Sequence, residues 1–316
     1  MECLILVNFR DQKKFIFFNF FFAINKSCIK NNHVDCLLFN IFFTHQIVYH
    51  ILMKYVLITG ATAGIGKEIA YSYASRGYNL FLIARREKRL IEISEQISDE
   101  FNVNVRHLVS DLKDKNSPKE IYDFADKNSL DIDTLVLNAG YQHNKNLEEV
   151  SIEDEEDCLR VLGISVIMQT KLFLSHFRKR GGGNIMVVSS VAAFAPPSGE
   201  FAVLYGPVKT FMNRFVDSIN SSQAKHNIFA SALCPGFTIT EFHQQSGTQD
   251  RMDKVPAFMK MSAKDVAEAG VNGILNKKSI VIPGVIYKLI VILFKFTPLW
   301  LIRFLGNKLA GGRFKT

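Results

Sequence analysis

The sequence has few cysteines, the residues that hold together many extracellular and zinc-dependent proteins. It contains 5 cysteines in 316 residues, and after position 52 only Cys158 and Cys234 remain. These two have no metal-ligand spacing, so they predict neither a disulfide framework nor a zinc motif. We therefore expect no metal site and a cytoplasmic location.

The sequence also lacks a strong excess of one charge sign. Its 38 Lys and Arg against 30 Asp and Glu give a net charge of +8. A balance of this size is typical of ordinary solubility, and no nucleic-acid-binding motif accompanies it. We expect a small-molecule partner and no nucleic acid.

Tryptophan occurs once, whereas phenylalanine occurs 27 times and ten of those lie in the first 52 residues. This stretch keeps neither a helical nor a strand period. Its apolar run from Phe15 to Ile24 resembles a signal peptide or a membrane span, but no small-residue cleavage site follows and Asn19 interrupts it. We interpret residues 1–52 as a non-native or disordered extension, because AT-rich DNA encodes such compositions, and Met53 as the start.

From Met53 onward, short apolar runs alternate with longer amphipathic stretches. This alternation predicts an α/β fold, a doubly wound parallel sheet in a single domain over residues 53–284 with helices on both faces. Ser151 and Asp154 form a capping pair that predicts a helix running to about Phe177. Six strands are predicted, at residues 55–59, 79–84, 103–109, 134–137, 185–188 and 228–233.

A glycine-rich turn, Thr59 to Gly66, follows the first predicted strand directly. Glycines at 60, 64 and 66 permit a tight turn and let the backbone approach a pyrophosphate at a helix N-terminus. A glycine cluster that does not lie between a strand and a helix is often an ordinary turn. Its place between a strand and a helix favours dinucleotide binding.

Four further motifs follow this turn. They are Asn138-Ala139-Gly140, Ser190, Tyr205 with Lys209, and Pro235-Gly236. Together with the glycine turn, they resemble the short-chain dehydrogenase/reductase family over residues 54 to about 284. The resemblance implies a Rossmann-type domain, an NAD(P)-dependent oxidoreductase that interconverts a carbonyl and an alcohol, and a homodimer or homotetramer.

Tyr205 and Lys209 are four residues apart, which places them on one face of a helix. Pro207 is tolerated only in a first turn, so this helix should begin close to Tyr205. The resemblance implies that Tyr205 is the general acid or base and that Lys209 binds the nicotinamide ribose and favours the phenolate. Ser190 would bind the substrate oxygen, with Ser189 as the competing candidate.

Cofactor selectivity is expected at the end of the second strand, where Arg85 and Arg86 replace the acid that would bind the ribose of NAD. The guanidinium of Arg85 can bind a 2′-phosphate, so NADP (NADPH) is expected and NAD is disfavoured, although both arginines could instead be a solvated helix start. The resemblance also assigns cofactor contacts to Gly60, Thr62, Gly64, Ile65, Gly66, Asp111, Leu112, Asn138, Ala139, Gly140, Pro235, Gly236 and Thr240.

One position departs from the family pattern. Leu162 stands where the family often has an asparagine that holds a kinked helix and a relay water. Gly163 is the residue that would preserve the kink. The departure leaves open a second class of function, a cofactor-sensing binding protein with reduced catalysis.

The sequence after Pro235 supplies candidates for the substrate pocket. An apolar wall predicts an apolar ketone, aldehyde or 3-oxoacyl substrate, although such residues also fill cores. The candidates are Phe237, Phe242, Phe258, Met259 and Met261.

The C-terminal tail, residues 285–316, is basic and strongly apolar. Lys288, Lys295 and Arg303 share one helical face, and Pro298 should divide the helix. The tail would either pack over the pocket or a partner subunit, which we favour, or make a peripheral membrane contact as a membrane-docked protein.

Deletion of residues 1–52 should leave fold and activity unchanged, because every motif lies beyond Met53. Circular dichroism and steady-state rates of the shortened protein check this expectation. A shortened protein that unfolds, or a native product whose intact mass begins at Met1, would contradict it.

Overall fold

A seven-stranded parallel sheet forms the centre of the protein in the computed structural model, which describes residues 54–195, 203–298, 300, 301 and 304. The proposed extension, residues 1–52, and Arg303 lie outside these residues. The strands of this sheet are β1 Lys54–Thr59, β2 Asn79–Ala84, β3 Val105–Val109, β4 Asp131–Leu137, β5 Gly183–Val188, β6 Ile228–Leu233 and β9 Ile280–Val281, while β7 Thr238–Ile239 and β8 Met261–Ser262 pair separately. In the sheet the strands follow the order β3-β2-β1-β4-β5-β6-β9.

Helices cover both faces of this sheet, because alternate strand side chains point to opposite sides. The helices are α1 Gly64–Ala74, α2 Glu87–Phe101, α3 Ser117–Lys127, α4 Ile152–Leu159, α5 Ser165–Arg180, α6 Tyr205–Gln223, α7 Phe242–Gln245, α8 Gln249–Asp253, α9 Ala263–Leu275 and α10 Val285–Phe296. Val56 and Ile58 pack with α1, α2 and α9, whereas Leu57 packs on the other face with α3, α5 and α6. The predicted doubly wound fold is therefore confirmed.

Several element boundaries differ from the predicted ones. β3 begins at Val105 instead of residue 103, and β4 begins at Asp131 instead of residue 134. The early start of β4 escaped prediction because it carries two carboxylates, which pair with Arg180 at 2.9 and 3.1 Å. The strand β9 is two residues long and gave no period to detect.

The long helix after Ser151 begins as predicted, since the Ser151 hydroxyl accepts a hydrogen bond from the Asp154 amide at 3.1 Å. It continues through α4, a π-helical segment at Arg160–Ile164 and α5. Among the described residues, Ile152–Arg180 is also the stretch long and apolar enough to cross a membrane, with mean hydropathy 1.4. Half of its most apolar window is buried, as expected of a helix packed on a sheet.

The parallel arrangement brings the carboxyl ends of β1, β4, β5 and β6 to one edge of the sheet. The sheet order reverses between β1 and β4, which is the position where doubly wound folds bind ligands. The glycine turn, the Asn138 motif, Ser190 and Pro235 follow these four strands in turn. The fold therefore gathers the sequence motifs along one edge.

Candidate active site

The glycine turn has the backbone conformation that its sequence predicts. Gly60 and Gly64 have φ angles of 68° and 52°, in the left-handed region that side chains disfavour. A side chain at Gly66 would overlap the amide nitrogen of Asn138 and the carbonyl of Gly60. The turn therefore leaves an open backbone surface at the N-terminus of α1, which suits a pyrophosphate.

Thr59 and Asn138 tie this turn to the end of β4. The Thr59 hydroxyl accepts from the amides of Asn138 and Ala139 at 3.0 and 3.2 Å. The Asn138 side chain donates back to the carbonyls of Thr59 and Gly60 at 2.9 and 3.2 Å. Asn138, which the sequence predicts as a cofactor contact, therefore also positions the glycine turn.

Lys209 and Tyr205 lie together at the start of α6, which begins at Tyr205 as predicted. The Lys209 ammonium donates to the Val188 carbonyl at 2.8 Å and lies 5.4 Å from the centre of the Tyr205 ring. The Ser190 and Tyr205 side chains hydrogen-bond to each other. The structure therefore brings the three predicted catalytic residues into one group.

The two candidate serines face different partners. The Ser189 hydroxyl donates to the Lys209 carbonyl at 3.1 Å and is 2% exposed. Ser190 caps a short 3₁₀ turn by accepting from the Ala192 amide at 3.1 Å, while its hydroxyl also meets Tyr205. This geometry favours Ser190 as the substrate-binding serine and gives Ser189 a supporting position behind α6.

Burial shifts the pKa values of Tyr205 and Lys209 in opposite directions. It raises the pKa of Tyr205 to about 12, against the lowering effect of the hydrogen bond with Ser190. It lowers the pKa of Lys209 to about 8 because the ammonium loses hydration. At neutral pH the phenol is therefore protonated, which is the form that can act as an acid.

A cleft of about 950 Å³ lies in front of these groups. It is long enough to pass from the glycine turn to Tyr205 and continues to an apolar end beside α10. Together with the open glycine turn, this shape fits a dinucleotide with a substrate beside it. Predicted residues that line the cleft are Gly60, Thr62, Gly64, Ile65, Arg85, Asp111, Leu112, Asn138, Ala139, Gly140, Ser190, Tyr205, Lys209, Pro235, Gly236 and Thr240. Gly66 is buried behind the turn.

Arginines surround the end of β2, but their partners differ. Arg85 is 58% exposed and lies 3.7 Å from Asp111. Arg86 donates to the Thr62 hydroxyl at 3.1 Å and pairs with Glu241 at 2.9 Å, and Arg89 pairs with Glu241 at 2.6 Å. These hydrogen bonds hold the pKa of Glu241 below its ordinary value. The participation of Arg89 and Glu241 was not predicted, because Glu241 is distant in sequence and only the fold brings it to α2.

Leu162 occupies the π-helical segment and not a regular helix. The Ser165 amide bonds to the Arg160 carbonyl, five residues back, and the Ser165 hydroxyl donates to the Val161 carbonyl at 2.9 Å. Leu162 is 2% exposed, lines the cleft and packs against Gly140. The helix is therefore irregular at this point, although a hydrocarbon replaces the family's amide.

The apolar wall agrees only partly with the sequence prediction. Phe237, Phe242 and Met259 line the cleft. Phe258 does not, because its side chain is 70% exposed, and Met261 instead packs against the sheet core from β8. The remaining wall comes from α10, through Tyr287, Ile290, Val291 and Phe294.

Tyr287 fixes α10 on the domain. Its hydroxyl donates to the Met259 carbonyl at 2.6 Å and accepts from the Phe237 amide at 3.0 Å. Its ring fills the space that a side chain at Gly236 would need. The part of the tail within α10 therefore packs over the cleft, as favoured from the sequence.

Cys158 lies close to this site with two other potential ligands. Its sulfur and donor atoms of His143 and Glu155 lie within 4.8 Å of one another. Burial, followed by the charge of Glu155, raises the pKa of the Cys158 thiol to about 11. The thiol is therefore protonated at neutral pH and donates to the Tyr141 carbonyl at 3.7 Å.

Residues 54–251 match the family model for short chain dehydrogenase. The chain is 30% identical over 192 residues to the 3-oxoacyl-[acyl-carrier-protein] reductase of Aquifex aeolicus, covering 60% of this chain and 75% of that protein. It is 28% identical over 222 residues to the very-long-chain 3-oxoacyl-CoA reductase of Rattus norvegicus, covering 68% and 69%.

Among solved structures, the fold is similar to an alcohol dehydrogenase from Thermococcus sibiricus complexed with 5-hydroxy-NADP. The TM-score is 0.64 at 26% identity, and the match covers 74% of this chain and 97% of the other. Relatives of this kind are enzymes that act on carbonyls and alcohols and bind a nicotinamide dinucleotide. The family match, the sheet order and the gathered motifs agree, and the chain belongs to the short-chain dehydrogenase/reductase family.

Proposed function

We propose that this protein is an NADP(H)-dependent oxidoreductase that interconverts a carbonyl and an alcohol on an apolar ketone, aldehyde or 3-oxoacyl compound. The observation that carries the proposal is the convergence of Ser190, Tyr205 and Lys209 at the apolar end of the cleft. A carbonyl bound there would meet a protonated phenol, a serine hydroxyl and a wall of aromatic and aliphatic side chains.

In the reductive direction, a nicotinamide cofactor held at the glycine turn and Lys209 would be the hydride source for the carbonyl carbon. The Tyr205 hydroxyl gives its proton to the carbonyl oxygen, and the Ser190 hydroxyl donates a hydrogen bond to the same oxygen as negative charge develops. The phenolate that remains is stabilised by the Lys209 ammonium, held by Val188 beside the Tyr205 ring. In the oxidative direction, the phenolate takes the alcohol proton.

The proposed preference for NADP(H) depends on the charge around the end of β2. Arg85 lines the cleft and is largely exposed, and its contact with Asp111 at 3.7 Å is longer than a hydrogen bond. It is therefore the arginine most available to a 2′-phosphate. Arg86 and Arg89 share the single carboxylate of Glu241, so both already have an acidic partner.

The remaining cofactor assignments are proposed on position. The open glycine turn and the α1 N-terminus would hold the pyrophosphate, and Lys209 the nicotinamide ribose. Thr240 lines the cleft directly beside Gly64, where an added side chain would come within 3.0 Å of it, and by the family resemblance it would bind the carboxamide. Asp111 and Leu112 would border the adenine beside Arg85.

Leu162 supports a second candidate function, a cofactor-sensing binding protein. In the family, the asparagine at this position holds a helix kink whose main chain binds a relay water. Leu162 has no amide for that role, so the proton relay to Tyr205 is the step that this replacement affects. The intact group of Tyr205, Lys209 and Ser190 favours the enzyme.

We further propose that the protein is a homodimer or homotetramer, because family members commonly are, and that it is cytoplasmic. The buried Cys158 and Cys234, which form no disulfide, support the cytoplasmic location.

Tyr205→Phe should lower the turnover number by at least about a hundredfold, because a positioned general acid contributes roughly 10²- to 10⁴-fold to such rates. NADPH affinity should stay nearly unchanged, since the phenol adds little to dinucleotide binding. Stopped-flow rates and fluorescence titration measure the two effects. Retention of more than a tenth of the rate would remove Tyr205 from the proposed role.

Arg85→Asp should narrow or invert the preference for NADPH over NADH, because it removes a phosphate contact and adds repulsion. Steady-state kcat/KM with both cofactors measures the preference. Lys88→Asp is the matched control, since it makes the same charge change at an exposed position of α2. Equal efficiency of the parent with both cofactors, or an equal effect of the control, is incompatible with the assignment.

The lowered pKa of Lys209 predicts how stability depends on pH. Between pH 8 and the unfolded value of 10.5, the unfolded chain binds more protons, so the Lys209 contribution becomes less unfavourable as pH rises. From pH 7 to 9.5 the parent should gain about 2 kcal/mol in free energy of unfolding relative to Lys209→Met, at 1.36 kcal/mol per pKa unit. Urea unfolding at both pH values provides the measurement, and a constant difference between the two proteins would refute the shift.

A further inference from the structure

The helix α10 presents two apolar faces, and the domain covers only one of them. Tyr287 and Val291 are buried, and Ile290 and Phe294 complete the side that lines the cleft. The opposite side, called here the outer face, is exposed to solvent. It consists of Val285, Ile286, Leu289, Ile292, Leu293 and Phe296, which are 36% to 83% exposed.

The outer face is too apolar and too continuous for an ordinary solvated helix. At 3.6 residues per turn its members fall within about 120° of one another around the axis, which makes one unbroken stripe. Trp300 and Phe304 extend the exposed apolar surface beyond the helix, at 69% and 57% exposure. Surfaces of this kind mark sites of association.

Charge around the outer face identifies the partner. Residues 285–316 contain six Lys and Arg and no Asp or Glu. Lys288 and Lys295, both exposed, are seven residues apart and run along one border of the stripe. The Lys295 ammonium also lies 5.8 Å from the centre of the Phe194 ring, so Lys288 is the border cation whose ammonium makes no ion pair or ring contact within the described residues. A second copy of this helix would bring like charges together, whereas an anionic lipid surface attracts each lysine and accepts the apolar side chains.

The geometry of α10 fits a position in the membrane interface and not a span. Twelve residues extend about 18 Å, against a hydrocarbon core of about 30 Å. Tyr287 holds the helix against the domain, so the helix lies flat on the protein surface with its outer face outward. A flat apolar stripe bordered by lysines matches a helix at the headgroup boundary, with the lysines reaching the headgroups.

We propose that the outer face of α10 docks on an anionic lipid bilayer, and that the substrate is a carbonyl compound with a long hydrocarbon part that partitions into that bilayer. The substrate part rests on the proposed function. One side of α10 is the wall of the cleft and the other meets the lipid, so a docked molecule has its apolar pocket one helix away from the bilayer. Such a substrate can reach the pocket without crossing bulk water.

Trp300 allows docking to be measured without a label, because it is the single tryptophan of the chain and lies on the exposed apolar surface. The full chain is mixed with vesicles of phosphatidylcholine alone or with phosphatidylglycerol. We expect a blue shift of tryptophan emission, quenching by brominated acyl chains and co-flotation with the anionic vesicles, all weakened by salt. Unchanged emission and no flotation would overturn the proposal.

Two variants test the surface itself. Leu289→Glu with Leu293→Glu should weaken binding to anionic vesicles by more than tenfold, while NADPH affinity stays at the parent value as the check on folding. Lys288→Gln should reduce the salt dependence without altering the fold. The matched control is Leu147→Glu with Ile152→Glu, two exposed apolar positions outside α10, which should bind vesicles like the parent.

Other outcomes decide against the proposal. If the parent ignores vesicles but doubles its mass in light scattering, and the Leu289 and Leu293 variant does not, the outer face binds a second copy. If the variant binds vesicles as well as the parent does, another surface is responsible.

Docking is measured without substrate, so inactivity toward carbonyls would contradict the proposed function and would leave the docking proposal unaffected. Docking without any gain in rate for a long-chain ketone supplied in vesicles would overturn the substrate part alone.

Discussion

The hydrogen bonds of Thr59 and Asn138 join the carboxyl ends of the first strand and the fourth, and the cofactor side of the cleft is built on that junction. Thr59 is 1% exposed, so these bonds form without competition from water and are correspondingly strong. They close the glycine turn at the point where the sheet order reverses. The backbone amides at the α1 N-terminus, the arginines after β2 and the Asn138 motif are all held relative to that turn.

The chemical end of the cleft depends on exclusion of water. Burial raises the pKa of Tyr205 and lowers that of Lys209. The apolar side chains that line the cleft include Leu162 and Phe242, and the Phe242 ring centre lies 6.2 Å from that of Tyr205. An apolar wall therefore has two effects at once. Under the proposed function it would favour apolar substrates, and its burial of Tyr205 keeps the phenol protonated at neutral pH. Polar substitutions in the wall would change substrate choice and acid strength together.

Much of this arrangement could be predicted from local sequence signals. Alternating apolar runs gave the doubly wound sheet, Pro207 fixed the start of α6 at Tyr205, and spacing placed Tyr205 and Lys209 on one face. What could not be predicted depends on contacts between distant segments. Glu241 pairs with two arginines more than 150 residues away. Phe258 and Met261 were wrongly placed in the wall because one-residue differences decide which side of a loop faces the cleft.

The contact between Gly236 and Tyr287 has a consequence for how this sequence can change. The tyrosine ring occupies the volume of a missing side chain 51 positions earlier, and its hydroxyl satisfies the backbone on either side of the apolar wall. Neither position can be altered alone, since any side chain at 236 expels the ring and a small residue at 287 opens a void over the cleft. The two positions should therefore covary among homologues. In a chain without the C-terminal helix, no tyrosine ring would occupy this volume, so the ring would no longer require glycine at position 236.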